Sequence, residues 1–222
     1  MKFLCLHGAG TSAKVFEIQT AALRLELARD GLSTFEFLDG EFSSRPAPGI
    51  GDLFEGPYYS FYPFLYKTDG LPRETVAEAH ALVQEVIEDE GPFDGIIGFS
   101  QGAALAASIL IHHAQEHPLD PPYALFRCAI FICGSRPFNY EGTRVFDPKE
   151  GHKGLIRIPT THIVGAKDGY LCEGKALYEL CDKANATLVM HSEGHMIPAD
   201  IKTTRMLADA VRLSMERAMH FS

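Results

Sequence analysis

The chain has 222 residues, 29 acidic against 20 basic, for a formal charge of −9, with 46% hydrophobic and 22% charged residues. This composition suits a soluble globular chain and excludes a disordered or fibrous one. The acidic balance, with no run of Lys and Arg to neutralise phosphates, argues against nucleic acid or an anionic membrane surface as partner.

The length suits one domain over 1–222. No apolar run is long enough for a bilayer span, and Met1–Leu6 is too short for a signal-peptide core. The five cysteines (Cys5, Cys128, Cys133, Cys172, Cys181) are odd in number and scattered, with no C-x-x-C pair, so free thiols and a cytoplasmic location are expected. The sequon at Asn185 has no secretory signal to make it meaningful.

In chain order, Phe3–Leu6 reads as a strand, His7–Gly10 as a glycine-rich turn, and Ser12–Arg29 as a helix with Phe16, Leu23 and Leu27 on one face. Thr34–Leu38 reads as a second strand. The stretch 40–71 keeps no period and is rich in Gly, Pro and aromatics (Tyr58, Tyr59, Phe61, Tyr62, Phe64, Tyr66), which predicts a long functional loop or small lid. It serves either as a satellite cluster packed on the body or as a substrate-facing wall. Pro72–Glu90 predicts a helix, with Val76, His80, Val83 and Ile87 on one face. Asp94–Phe99 follows as a strand and Gln101–Gln115 as an Ala-rich helix. Phe126–Cys133 and Thr161–Val164 read as buried strands separated by an irregular stretch, Gly134–Pro159. A helix over Cys172–Lys183, a strand over Thr187–Met190 and a helix over Asp200–Met219 complete the chain. Strands alternating with helices predict an α/β fold with a mostly parallel central sheet flanked by helices.

Gly98-Phe99-Ser100-Gln101-Gly102 stands between a strand and a helix, the context of a nucleophile elbow. The turn forces the serine into a strained backbone conformation, and the two glycines keep side chains out of the space where strand and helix meet. A serine hydroxyl needs a base, and the base an acid to hold its tautomer; in this arrangement they follow the serine in the order acid, histidine. Asp168 lies just past the strand Thr161–Val164, and His195 sits in Gly194-His195-Met196-Ile197-Pro198 between the last strand and the last helix. His191 is the rival base, and Asp182 and Glu193 are rival acids. The backbone N–H groups of Gln101 and Ala9 are the expected oxyanion donors. His7-Gly8-Ala9-Gly10 matches no phosphate-binding fingerprint, and His113 and His117, four apart on a helix, lack a third ligand in a recognisable motif. No metal or other cofactor is expected.

With these residues in place, the chain resembles the fungal FSH family of serine hydrolases, which has the α/β-hydrolase fold. The resemblance runs along Leu4-Cys-Leu-His-Gly8, Phe37-Leu-Asp-Gly40, Gly91-Pro-Phe-Asp-Gly-Ile-Ile-Gly-Phe-Ser-Gln-Gly102, Gly165 with Asp168, and Gly194-His195-x-x-Pro198. It implies Ser100, Asp168 and His195 as the triad. Within the family, Phe54-Glu-Gly-Pro-Tyr-Tyr-Ser-Phe-Tyr62 is similar to thioesterases encoded beside polyketide synthases, such as the release enzyme of the lovastatin cluster. Glu41 departs from the proline that many members have after the glycine. The resemblance implies hydrolysis of a thioester or ester, with a polyketide acyl chain on an acyl-carrier protein as substrate and partner. Phe16, Tyr58, Tyr59 and Tyr62 are the candidate pocket walls. A general carboxylesterase, a non-catalytic binding protein of the same fold and acyl transfer to an acceptor other than water remain alternatives.

Overall fold

The computed structural model describes residues 1–31, 33–63 and 74–220. Phe64, Tyr66 and the expected helix start at Pro72 lie outside these residues. Six strands form one parallel sheet: β1 (Lys2–Leu6), β2 (Thr34–Leu38), β5 (Gly95–Phe99), β6 (Cys128–Ile132), β7 (Thr160–Gly165) and β8 (Ala186–His191), in the order β2-β1-β5-β6-β7-β8. The three central strands β5, β6 and β7 are buried along their whole length; β5 and β6 are continuous apolar runs covered on both faces, whereas β7 carries Thr160, Thr161 and His162 inside the sheet.

Helices cover both faces. On one, α1 (Ala13–Gln19), α2 (Ala21–Leu27) and α6 (Ile201–His220) bury Phe16, Leu23, Leu207 and Val211 against Phe3, Ile97 and Ile130. On the other, α3 (Glu74–Glu90), α4 (Gln101–Glu116) and α5 (Leu171–Glu179) bury Val76, Val83, Leu105 and Leu177 against Leu4, Ile96 and Phe131. Each such side chain contributes about 1.5–3 kcal/mol on leaving water. No helix among the described residues is long and apolar enough to cross a membrane.

The chain leaves β1 toward β2 on one side, then returns to place β5 on the other. The strand order therefore reverses between β1 and β5, and the crevice beyond their carboxyl ends is where open α/β sheets hold ligands. The His7–Gly10 turn and Ser100 both open into it.

Three elements differ from the sequence-based expectation. The first helix breaks at Thr20, whose hydroxyl donates to the Phe16 carbonyl at 2.7 Å and competes with the helical ladder. The stretch 40–71 contains a short antiparallel hairpin, β3 (Phe42–Ser43) with β4 (Tyr59–Ser60), too brief for a period to be visible. Helix α5 ends at Glu179 rather than Lys183, because Leu180 and Asp182 turn to exchange backbone hydrogen bonds with Leu155 and Ile156.

Candidate active site

Ser100 joins β5 to α4 at φ 53° and ψ −111°, a left-handed conformation that a non-glycine residue adopts only when its surroundings enforce it. Packing at both glycines of the motif supplies the enforcement. A methyl at Gly98 would lie 2.4 Å from the Ala103 nitrogen, and one at Gly102 only 2.2 Å from the Leu6 carbonyl oxygen. The elbow is fastened to β6 by the Ser100 N–H, which donates to Ile132 O at 2.9 Å.

The His7–Gly10 turn closes against this elbow. A methyl at Gly8 would meet the Phe99 ring at 2.8 Å and Ser100 Cβ at 3.4 Å, so only glycine lets the turn come so near the serine. His7 is fully buried and fixes the turn's shape. Its Nε2 accepts from Gly40 N–H at 3.0 Å, so its Nδ1 carries the proton and donates to Gly8 O at 2.7 Å. Burial holds His7 below the usual histidine range, consistent with this neutral tautomer. Thr11 Oγ1 donates to the same Gly8 carbonyl at 2.7 Å. Gly10 N donates to Tyr59 O, and Tyr59 N to Thr11 O, which couples the turn to the β3–β4 hairpin.

Gln101, the first residue of α4, has an N–H with no intrahelical acceptor. Its buried side chain reaches the other way: Oε1 accepts from Phe61 N and Nε2 donates to Tyr62 O, both at 2.9 Å. The residue beside the serine thereby holds the end of the aromatic loop.

Asp168 follows β7, and its carboxylate is divided between two donors. Oδ1 accepts from Tyr170 N at 2.8 Å, and Oδ2 faces His195 Nδ1 at 2.8 Å. A carboxylate oxygen only accepts, so Nδ1 carries a proton, and in the neutral imidazole Nε2 is left with its lone pair. The Asp168 side chain is 2% exposed and that of His195 30%. The imidazole lies between the Phe99 ring at 5.1 Å and the Tyr170 ring at 5.4 Å. The loop bearing His195 is tied down by Ala166 N donating to His191 O and Lys167 N to Glu193 O; a methyl at Gly165 would lie 2.3 Å from Gly194 O.

The rivals are placed elsewhere. The His191 side chain is buried, with Nδ1 accepting from Glu193 N at 3.3 Å, and Asp182 caps the turn after α5 through Ala184 N and Asn185. Glu193 is exposed and receives Ser192 Oγ. The His113 and His117 rings lie 4.8 Å apart, tilted at 40° to each other, near the end of α4.

A groove of about 520 Å³ lies beside the turn, lined by Ser12, Val15, Ile18, Leu53, Phe54 and Tyr59 among others. Its link to Ser100 runs through the His7–Ser12 segment; Ser100, Asp168 and His195 do not line it. Of the four aromatic residues expected as pocket walls, Tyr59 lines the groove. Phe16 is fully buried against Phe37 and Phe99, Tyr62 is buried edge-on to Phe138, and the Tyr58 hydroxyl donates to Phe54 O.

Sequence reasoning did not single out His7, the Gln101 side chain or Cys133. Cys133 follows β6 at φ 47°, is 2% exposed, and places its sulfur beside Asp168 and His195. Burial and the Asp168 charge push its thiol up to about 12. A non-glycine residue at positive φ leaves no trace in periodicity, and the two polar clamps join segments about 30 to 40 positions apart.

A family model described as serine hydrolase (FSH1) matches residues 1–207. The chain is 38% identical over 209 residues to hydrolase phiM of Talaromyces stipitatus, covering 91% of this chain and 82% of that protein. It is also 38% identical to esterase FPY3 of Fusarium mangiferae, covering 99% of each. Among solved structures, it is similar to a carboxylesterase from Mesorhizobium loti (TM-score 0.61, 19% identity, 97% of this chain and 88% of that one). It is similar, too, to acyl-protein thioesterase 2 from Zea mays (TM-score 0.59, 18% identity, 96% and 93%). At these identities the two structures speak for the shared α/β-hydrolase fold alone. The family match spans nearly the whole chain, including the elbow and both downstream loops, and the chain therefore belongs to the FSH1 serine hydrolase family.

Proposed function

We propose that the chain hydrolyses an ester or thioester, with Ser100 as nucleophile, His195 as base and Asp168 as the group that orients it. The observation that carries the reading is the 2.8 Å pair between His195 Nδ1 and Asp168 Oδ2, set against Phe99 beside the strained Ser100. His195 Nε2 takes the Ser100 proton as Oγ bonds to the acyl carbon, and the backbone N–H groups of Ala9 and Gln101 hold the oxyanion. Collapse of the tetrahedral species expels the thiol or alcohol, which receives the proton from His195. Water activated by the same base then breaks the acyl–Ser100 bond and releases the acid.

The substrate in this reading is an extended, largely apolar polyketide acyl group presented by an acyl-carrier protein, in a cytoplasmic setting that suits the five free cysteines. The groove beside α1 supports a bound acyl chain, because Val15, Ile18, Leu53 and Tyr59 offer apolar contact next to the oxyanion turn, beside the charged Lys14, Asp39 and Glu55. The test compares hydrolysis of acyl-carrier thioesters with that of short p-nitrophenyl esters. Turnover of the carrier thioester with kcat/KM at least about tenfold higher is expected; efficient turnover of the small esters alone sinks the carrier substrate and leaves a general carboxylesterase. Failure of Ser100 to label with a fluorophosphonate, in well-folded protein, sinks the hydrolytic assignment of that residue.

A further inference from the structure

Cys133 stands beside Asp168 and His195 of the candidate triad, and hydrolysis does not require these three as a set. Cys133 Sγ, an Asp168 carboxylate oxygen and a His195 ring nitrogen all lie within 4.8 Å of one another. They offer a soft sulfur, a hard oxygen and an imidazole, three ligand types that Zn²⁺ accepts together. We propose that a thiophilic divalent cation, Zn²⁺ or Cd²⁺, binds between Cys133 Sγ, the Asp168 carboxylate and His195 Nδ1, and that this switches the hydrolase off.

The three ligand atoms, within 4.8 Å of one another, must draw to tetrahedral spacing around the ion. With Zn–S near about 2.3 Å and Zn–N or Zn–O of about 2.0–2.2 Å, neighbouring ligand atoms in a tetrahedral shell stand roughly 3.3–3.7 Å apart. His195 Nδ1 and Asp168 Oδ2 start closer than that, at 2.8 Å, and must part by less than about 1 Å. His195 is the member free to move, since its side chain is 30% exposed and rides on a loop, while Cys133 and Asp168 are buried.

The protons balance simply. The Cys133 thiol gives its proton to solvent as the S–metal bond forms. The imidazole keeps one proton, but metal on Nδ1 forces it onto Nε2. Nε2 then donates and cannot take the Ser100 proton, so nucleophile activation stops although the serine is untouched. Mg²⁺ and Ca²⁺, which prefer oxygen ligands, should not bind here and serve as controls. The inhibition rests on the triad proposed above; the binding does not.

The experiment uses the full chain in a Cys172→Ser background, because Cys172 is the exposed cysteine. Cd²⁺ binding is read from thiolate-to-metal charge-transfer absorption, and inhibition from p-nitrophenyl ester hydrolysis. The background protein is expected to show the Cd²⁺ band and lose hydrolysis. Adding Ser100→Ala should keep the band without any hydrolysis. Adding Cys133→Ser should keep hydrolysis, abolish the band and weaken inhibition by at least about tenfold. Equal inhibition with and without Cys133, or a band that survives its removal, overturns the proposal. A Cd²⁺ band in protein that hydrolyses nothing even without metal leaves the site standing and removes the triad reading instead. Should the Cys133 variant fail to fold, the ¹⁵N resonances of the His195 ring decide: Cd²⁺ must move the proton from Nδ1 to Nε2, and an unchanged tautomer overturns the proposal.

Discussion

Gly102 and Leu6 stand so close that a single methyl group on the glycine would lie 2.2 Å from the Leu6 carbonyl oxygen. The contact is between backbones, so neither partner can swing aside. Gly102→Ala must push α4 away from β1, and it moves the Gln101 N–H and the serine with it. A loss of about 1–3 kcal/mol in urea unfolding is expected, together with a fall in kcat larger than that in a remote core variant of equal stability. Unchanged kcat would show that the elbow tolerates displacement.

Replacing Asp168 by Asn keeps the shape but offers His195 an amide that can impose the wrong tautomer. Loss of kcat by about 10³–10⁴-fold is expected, with little change in thermal midpoint. Retention of most activity would mean that another carboxylate orients His195.

The Gln101 side chain satisfies Phe61 N–H and Tyr62 C=O at once. Gln101→Leu leaves both without this partner, at about 1–3 kcal/mol for each orphaned group. Urea unfolding measures that loss. Proteolysis within the 40–63 loop should quicken in parallel, and an unchanged cleavage rate would show that other contacts hold it.

Two buried histidines make stability fall in acid. His80 donates through Nε2 to Ser108 Oγ at 2.7 Å, since Ser108 donates onward to Phe138 O, and burial pulls its pKa to about 3. His162, enclosed by Phe131 and Tyr178, is likewise pulled to about 3 by burial. Unfolded, each titrates near about 6.5, so between these values the unfolded chain binds more protons and folding weakens as pH drops. The stability tied to each is complete above about pH 6.5 and lost progressively toward about pH 3, by up to roughly 1.4 kcal/mol per pH unit. In His162→Gln, the slope of unfolding free energy against pH between 6 and 4 should decrease by about one proton. An unaltered slope would place that proton uptake elsewhere.

Arg136 ties the segment after β6 to α5, bonding Glu173 through Nε and Nη2 at 2.9 and 2.8 Å and also pairing with Asp147. These carboxylates hold its guanidinium above its ordinary range. All three side chains are partly exposed, so solvent screening limits the effect, and Arg136→Ala should cost about 1 kcal/mol. A change of kcat/KM beyond about threefold would mean that this tether also shapes the site.

The elements most legible in the sequence were those whose chemistry is local. Continuous apolar runs gave β5 and β6, because a strand buried on both faces has few polar positions to interrupt it, while β7 showed only the short apolar run Ile163–Val164 after Thr160, Thr161 and His162. The elbow was legible because strand, tight turn and helix are consecutive in the chain. The break at Thr20 was not, since a threonine hydroxyl turning back to Phe16 competes with the helix without altering its apolar stripe. The β3–β4 hairpin was missed because two-residue strands carry no alternation, and the end of α5 because a distant stretch, Leu155–Ile156, takes over its hydrogen bonds.

The sequence by itself determined the residue types of the site, their order along the chain and the sheet ends on which they stand. Only the tertiary structure decided which contacts they make: His195 against Asp168 across 27 positions, Gln101 onto Phe61 and Tyr62, His7 onto Gly40, and Cys133 beside the acid–histidine pair. It also buried Phe16 and Tyr62 in the core and placed Tyr59 on the groove. Periodicity reports which face of an element is apolar. Which groups meet across a crevice depends on how helices and loops from separate parts of the chain pack around the reversal between β1 and β5.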